Sequence, residues 1–146
     1  MIRRGTPEDL HEITRVRTSV RENHLSVEQM EAIGITHEST SALMISGELG
    51  CWVAEDEGLL VGFSMAERST GHLFGLFVHP DAEGQGHGSR LLAAAEDWLR
   101  GLGFTEAYLT TDPETRAYRF YLLQGWQDTG ASAGHFAEDH VLRKRL

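Results

Sequence analysis

The chain carries a single cysteine, Cys51, among 146 residues. That excludes an internal disulfide and any multi-thiolate metal centre. It also makes a reduced, cytoplasmic setting the simple expectation, with Cys51 a core residue beside Trp52 and Val53. No apolar run approaches membrane-spanning length, and the opening residues MIRRGTPEDL lack the apolar segment of a secretory signal. Positive charge is scarce: 13 Lys and Arg stand against 22 Asp and Glu, a formal net charge of −9. A general nucleic-acid binder needs a basic face, so that class is not expected, whereas a cationic partner such as an amine suits the balance. Only three prolines occur, and neither repeats nor low-complexity segments mark a linker. What is there is ordinary for a globular chain, 40% apolar and 24% charged. The length is that of one domain with a proper core, residues 1–146.

The hydrophobic pattern alternates between two periods. Residues 1–4 read as a short first strand. Thr6-Pro7-Glu8-Asp9 is a helix start, with a capping threonine, proline in the first turn and acids behind it. Leu10, Ile13, Val16 and Val20 then form an apolar stripe, with Arg15, Arg17 and Arg21 assigned to its solvated face. Ser26-Val27-Glu28-Gln29 is a capping box opening a second helix that Gly34 stops, and a third short helix is expected over residues 36–46. GCWVAE (50–55) and LLVGFSMAE (59–67) are strands joined by the turn Asp56-Glu57-Gly58. A buried strand follows over Leu73–Val78.

At His79-Pro80 the pattern breaks. Gly84, Gly86 and Gly88 follow at alternate positions, and then Leu91, Leu92, Ala95, Trp98, Leu99 and Leu102 recur at helical spacing. Glycines there let a ligand approach the backbone closely. The first amides of a helix have no internal partner and sit at the positive end of its dipole. A strand, a glycine turn and a helix N-terminus together predict an anion site, for pyrophosphate of the nucleotide type. The spacing is not that of a P-loop, which needs a lysine and a hydroxyl residue after the glycines, nor of the GxGxxG dinucleotide fingerprint. Further on, Gly101 and Gly103 end the long helix. EAYLTT (106–111) is a strand, a helix is expected over 114–124, and a last strand pair ends with residues 139–146. The fold class is therefore mixed α+β, with a parallel crossover around the long helix.

Two segments carry a resemblance. V-H-P-x-x-x-G-Q-G-x-G-S-x-L-L, from Val78, resembles the pyrophosphate-binding motif of the GNAT N-acetyltransferases. Ala117-Tyr118-Arg119-Phe120-Tyr121-Leu122-Leu123-Gln124-Gly125-Trp126 resembles their second cofactor motif. The resemblance implies a central, mostly antiparallel twisted sheet with helices on both faces and one parallel strand pair around the cofactor helix. It implies acetyl-coenzyme A as cosubstrate and transfer of its acetyl group to a primary amine of a small molecule, peptide or protein. A non-catalytic acyl-coenzyme A-binding domain of the same fold is the alternative, and homodimers are common in that family. The implied cofactor residues are Leu76, Phe77, Val78, Glu83, Gly84, Gln85, Gly86, His87, Gly88 and Ser89. Glu83 stands where the family usually has Arg or Gln, and Glu114 where it frequently has Asn.

Tyr121 is the expected catalytic residue, because a positioned phenol can hydrogen-bond or protonate the departing thiolate. Tyr118 is the alternative. Glu67, Asp112, His72 and His79 are candidates to take the amine proton, and none is assigned. The strand Leu76–Val78 is expected to offer backbone groups to the pantetheine arm and the thioester carbonyl. His135 and His140 lack the spacing of a helical ligand pair, so no metal is expected.

Overall fold

The structure, a computed structural model, describes residues 1–22, 24–132 and 138–146. Four strands run in sequence and in spatial order: β1 (Ile2–Arg4), β2 (Leu49–Asp56), β3 (Leu59–Glu67) and β4 (Leu73–Val78), all antiparallel. The β2–β3 turn uses left-handed backbone at Glu57 and Gly58 (φ 52° and 79°), the pairing that suits the twist of a tight hairpin. Both strands are buried along most of their length because helices cover both faces. On one side α1 (Leu10–Arg17) and α3 (His37–Ser46) pack, with α2 (Val27–Ala32) between them in sequence. Leu10, Ile13 and Val16 meet Cys51, Val53, Phe63 and Met65 there. On the other side lies α4 (His87–Gly101), whose Leu91, Leu92, Ala95 and Leu99 meet Trp52, Ala54 and Ala66.

The second half forms its own antiparallel sheet. β5 (Glu106–Thr111), β6 (Gln127–Ser132) and β7 (His140–Arg145) lie in the order β5-β7-β6, and α5 (Arg116–Leu123) connects β5 to β6. The expected parallel pair around α4 is β4 with β5, and its ladder is confined to one bridge, His72 with Tyr108. Beyond that bridge the strands part. The residues of β4 nearest the opening, Leu76 to Val78, are only half-buried.

A bulge shapes β4 before the opening. Met65 pairs with Gly75 and Ala66 with Leu73, so Phe74 is the extra residue and is exposed. Across the molecule a buried carboxylate pins the second sheet to α4. Glu96 accepts from the Trp126 indole at 3.2 Å and from Lys144 Nζ at 2.8 Å. Lys144 is the only lysine in the chain.

One helix face differs from expectation. Arg21 is exposed, but the Arg17 guanidinium is folded over the Phe77 ring and the residue is half-buried. The apolar stripe of α1 identifies what faces the sheet, and it is silent on a flanking side chain that β4 reaches around to cover. Val20 falls after the helix has ended.

Candidate active site

Beside the end of β4 there is an open cleft of about 720 Å³, the size of a site for a small molecule or cofactor. Three segments of chain meet on it: the end of β4 with the glycine turn and first residues of α4, the start of α5, and Val20–Glu22 after α1. Leu76, Phe77, Val78, Glu83, Gly84, Gly86, His87, Gly88 and Ser89 all line it. Gln85 does not. Its carbonyl accepts from Arg90 Nη2 at 3.1 Å, and the residue serves the turn rather than the wall.

The glycines differ in what they do. Gly86 caps α4 in the left-handed region (φ 81°), where L side chains are strained. No side chain caps this helix, so the amides of its first turn have no side-chain acceptor and face the turn that borders the cleft. Gly84 is also left-handed (φ 78°), with no atom within 4 Å of where a Cβ would stand. Gly88 is already helical, and a Cβ there would make ordinary contact with Phe120 at 3.5 Å. His87 is buried beneath the turn. Burial and nearby Arg90 hold its imidazole below the ordinary histidine value.

Glu83 faces a partner 33 residues away, the guanidinium of Arg116 at 3.2 Å. The Arg116 amide in turn donates to Glu22 at 3.0 Å. Arg116 lines the cleft, so the mouth carries an exposed cation beside the acid that stands at the family's Arg or Gln position. Sequence spacing holds no signal for this pairing. Glu114 is exposed, lies off the cleft, and its amide donates to Asp112 Oδ1.

Tyr121 is buried and lines the cleft together with Ala117 and Phe120 from the same helix face. Its hydroxyl has no hydrogen-bond partner among the described residues, and burial raises its pKa, so the proton stays on oxygen. Tyr118 does not line the cleft. It donates to Asp128 at 2.9 Å, in a network completed by His140. Of the four candidate proton acceptors, two are spent on local structure. His79 accepts from the Asp81 amide and Asp112 from that of Glu114. His72 and Glu67 instead form a pair, Nδ1 to Oε1 at 2.7 Å, with the imidazole stacked on Tyr108 at 4.7 Å between centroids. Glu67 and the bulged Phe74 border a separate apolar hollow of about 200 Å³ that Leu43 and Leu49 also line.

No cluster of three or more potential metal ligands occurs among the described residues; His135 lies outside them. Nor is any described helix long and apolar enough to cross a membrane.

The sequence profile of the acetyltransferase (GNAT) family matches residues 8–126. The chain belongs to that family. Solved structures repeat its fold along nearly the full length. A PaiA N-acetyltransferase from Thermoplasma acidophilum, in complex with coenzyme A, superposes with a TM-score of 0.82 at 19% identity, covering 100% of this chain and 98% of its own. A ribosomal-protein-alanine N-acetyltransferase from Brucella melitensis gives 0.74 at 20% identity, covering 100% and 99%. The YncA protein of Salmonella typhimurium, a putative acetyltransferase with its cofactor acetyl-CoA, gives 0.74 at 19% identity, covering 100% and 93%. A search of curated proteins finds no match.

Proposed function

We propose that residues 1–146 form one N-acetyltransferase domain that transfers the acetyl group of acetyl-coenzyme A to a primary amine by direct attack on the thioester. The observation that carries this reading is the convergence, on one cleft, of an uncapped helix N-terminus and a buried, unpartnered phenol. The residues fit the cosubstrate. The α4 amides behind Gly84–Gly88 suit the pyrophosphate, and the open edge of β4 at Leu76–Val78 suits the pantetheine arm, which would run beside it like a further strand. A β4 amide is then placed to polarise the thioester carbonyl as negative charge develops on it.

Tyr121 acts on the leaving sulfur. A free phenol titrates near about 10 and a thiol near about 8.5, so complete transfer of the phenolic proton to a thiolate is uphill. Its role is to donate a hydrogen bond that strengthens as the C–S bond breaks. The amine proton goes to the His72–Glu67 pair by way of water, since neither residue lines the cleft. The Glu67 carboxylate fixes the imidazole ring through Nδ1. The single thiol, Cys51, takes no part: burial pushes it up to about 12. A reduced cytoplasmic setting and a homodimer remain part of this proposal, on the single cysteine and on the family's habit.

Two measurements test it together. Isothermal titration with coenzyme A is expected to show one site per chain. Thiol release from acetyl-coenzyme A across an amine panel is expected to identify an acceptor. Binding without turnover on any amine would leave an acyl-coenzyme A-binding domain, and no binding would remove the cleft's assignment altogether.

A further inference from the structure

Arg17 closes α1 with its guanidinium laid on the Phe77 ring, Cζ 4.1 Å from the ring centroid. Nη1 is sealed from solvent and has no hydrogen-bond partner among the described residues. Other arginines of the same region are satisfied. Arg3 is forked onto Asp9 and also meets Glu55, while Arg15 meets Glu12 and the Leu60 carbonyl. Around Arg17 burial acts without an offsetting carboxylate, and lowers its pKa to about 10. A cation in that position is costly unless something pairs with it, and the face of a ring returns only part of that cost. Each such orphan calls for an explanation.

Its place suggests one. Arg17 stands just behind the cleft rather than on its lining, but Phe77, the residue it covers, lines it, and so do Val20, Arg21 and Glu22, which follow it in the chain. The guanidinium lies on the α1 side of β4, with Phe77 and Phe63, whereas the glycine turn leads into α4 on the opposite side. The uncompensated cation is therefore separated by β4 from the helix end assigned to the phosphates. It stands on the side left for the acceptor.

We infer that Arg17 is a specificity residue that receives the carboxylate of the acceptor, so that the amine acetylated here belongs to an amino acid or to a peptide with a free terminal carboxylate. This rests on the acetyltransferase reading of the cleft. The chemistry matches in shape and in charge. A guanidinium edge and a carboxylate are both planar and form paired hydrogen bonds. One carboxylate neutralises one guanidinium, whereas a phosphate dianion would leave a net negative charge in a pocket of a chain already at −9.

The test is acetyl transfer, followed by thiol release, on matched acceptors. L-amino acids are compared with their amides and their decarboxylated amines, and short peptides with free C-termini are compared with amidated ones. The wild-type protein is expected to prefer one carboxylated series by about 10- to 100-fold in kcat/KM, the range for a hydrogen-bonded charge pair. Which series shows the preference separates free amino acids from peptides. In Arg17→Gln the preference collapses, through KM rather than kcat, and Arg17→Lys restores part of it. Because the side chain is uncompensated in the free protein, Arg17→Gln is expected to melt at the same temperature as wild type or above it. A structural arginine would give a lower melting temperature and a uniform loss on all acceptors. Equal use of carboxylated and amidated acceptors by the wild type would overturn the inference. So would a weakened coenzyme A titration in Arg17→Gln with the preference intact, which would give the guanidinium to the cosubstrate. If no carboxylated compound is acetylated, and glycine, L-glutamate and a free tripeptide all fail to shift the melt of the coenzyme A complex, the inference is also overturned. The coenzyme A titration itself stays readable in that case, which separates this failure from failure of the acetyltransferase reading.

Discussion

The two walls of the cleft are built by different means. On the α4 side the wall is backbone: a strand end, left-handed glycines and a helix start whose amides no side chain occupies. Opposite it the lining is side chains from distant parts of the chain: Phe77 beneath Arg17, Glu22 against the Arg116 amide, and Phe120 with Tyr121. A backbone wall tolerates almost any residue between its glycines, which is how an acid can stand at position 83. A side-chain wall is specific to its residues, and it is where one relative's substrate can differ from another's.

Breaking the backbone wall is expected to have the largest effect. Gly86→Val places a branched side chain in left-handed backbone, at about 1–2 kcal/mol, and puts its methyls beside the phosphate position. Coenzyme A affinity is expected to fall by about 100-fold or more by isothermal titration, the loss of several charge-assisted hydrogen bonds, with a cooperative melt retained. Gly88→Ala, whose added methyl meets only Phe120 and Val78, is expected to change affinity little. If the two variants behave alike, backbone geometry is not what makes this wall.

Tyr121→Phe keeps the packing with Phe120 and Trp126 and deletes only the hydroxyl. A fall in kcat of about 10²-fold, with coenzyme A affinity unchanged, is expected for a group acting on the leaving sulfur. Substituting a thioester with a more acidic thiol should narrow that gap. Near-normal kcat with chemistry rate-limiting would reduce Tyr121 to a core residue.

The side-chain wall gives smaller effects. His72→Gln, at a residue that lies off the wall itself, is expected to lower kcat/KM by about tenfold, since water can replace the base in part. An unchanged kcat/KM with a lower melting temperature would assign the pair to structure. Smallest of all is the exposed contact at the mouth. Glu83→Gln frees Arg116 for the phosphates and is expected to tighten coenzyme A several-fold, more at low ionic strength, since such a pair is worth about 0–1 kcal/mol. In an Arg116→Ala background that gain should vanish. If it persists, the carboxylate itself, and not the release of Arg116, was the cause.

The difference between the walls also explains what could be read in advance. The strand-to-helix change of period, the capping box at Ser26 and the hairpin at Glu57-Gly58 are local, and each appears where the pattern puts it. The face that Tyr121 shares with Ala117 and Phe120 was legible because a helix face is a matter of spacing. The burial of Arg17 was not, since it depends on β4 arriving 60 residues later to cover a side chain that α1 alone leaves in water. The Glu83–Arg116 contact and the Glu96–Lys144–Trp126 pin likewise join segments whose separation carries no periodic signal. The strands themselves were legible as short apolar runs, but the parting of β4 from β5 after one bridge was not, because it depends on how two strands about thirty residues apart meet.

The pin on α4 has a consequence for the chain as a reactant. With twelve arginines and one lysine, these 146 residues carry one aliphatic primary amine on a side chain, Lys144 Nζ. Lys144 is held by Glu96 and only partly exposed, and the N-terminal ammonium donates to the Glu55 carbonyl. Guanidinium groups stay protonated and do not compete as nucleophiles. The surface is thus almost without groups that an activated acyl compound can modify. Thiol release in the absence of added amine should be close to the hydrolytic blank, and an amine-reactive dye at mildly basic pH should label Lys144 only slowly while Glu96 holds it.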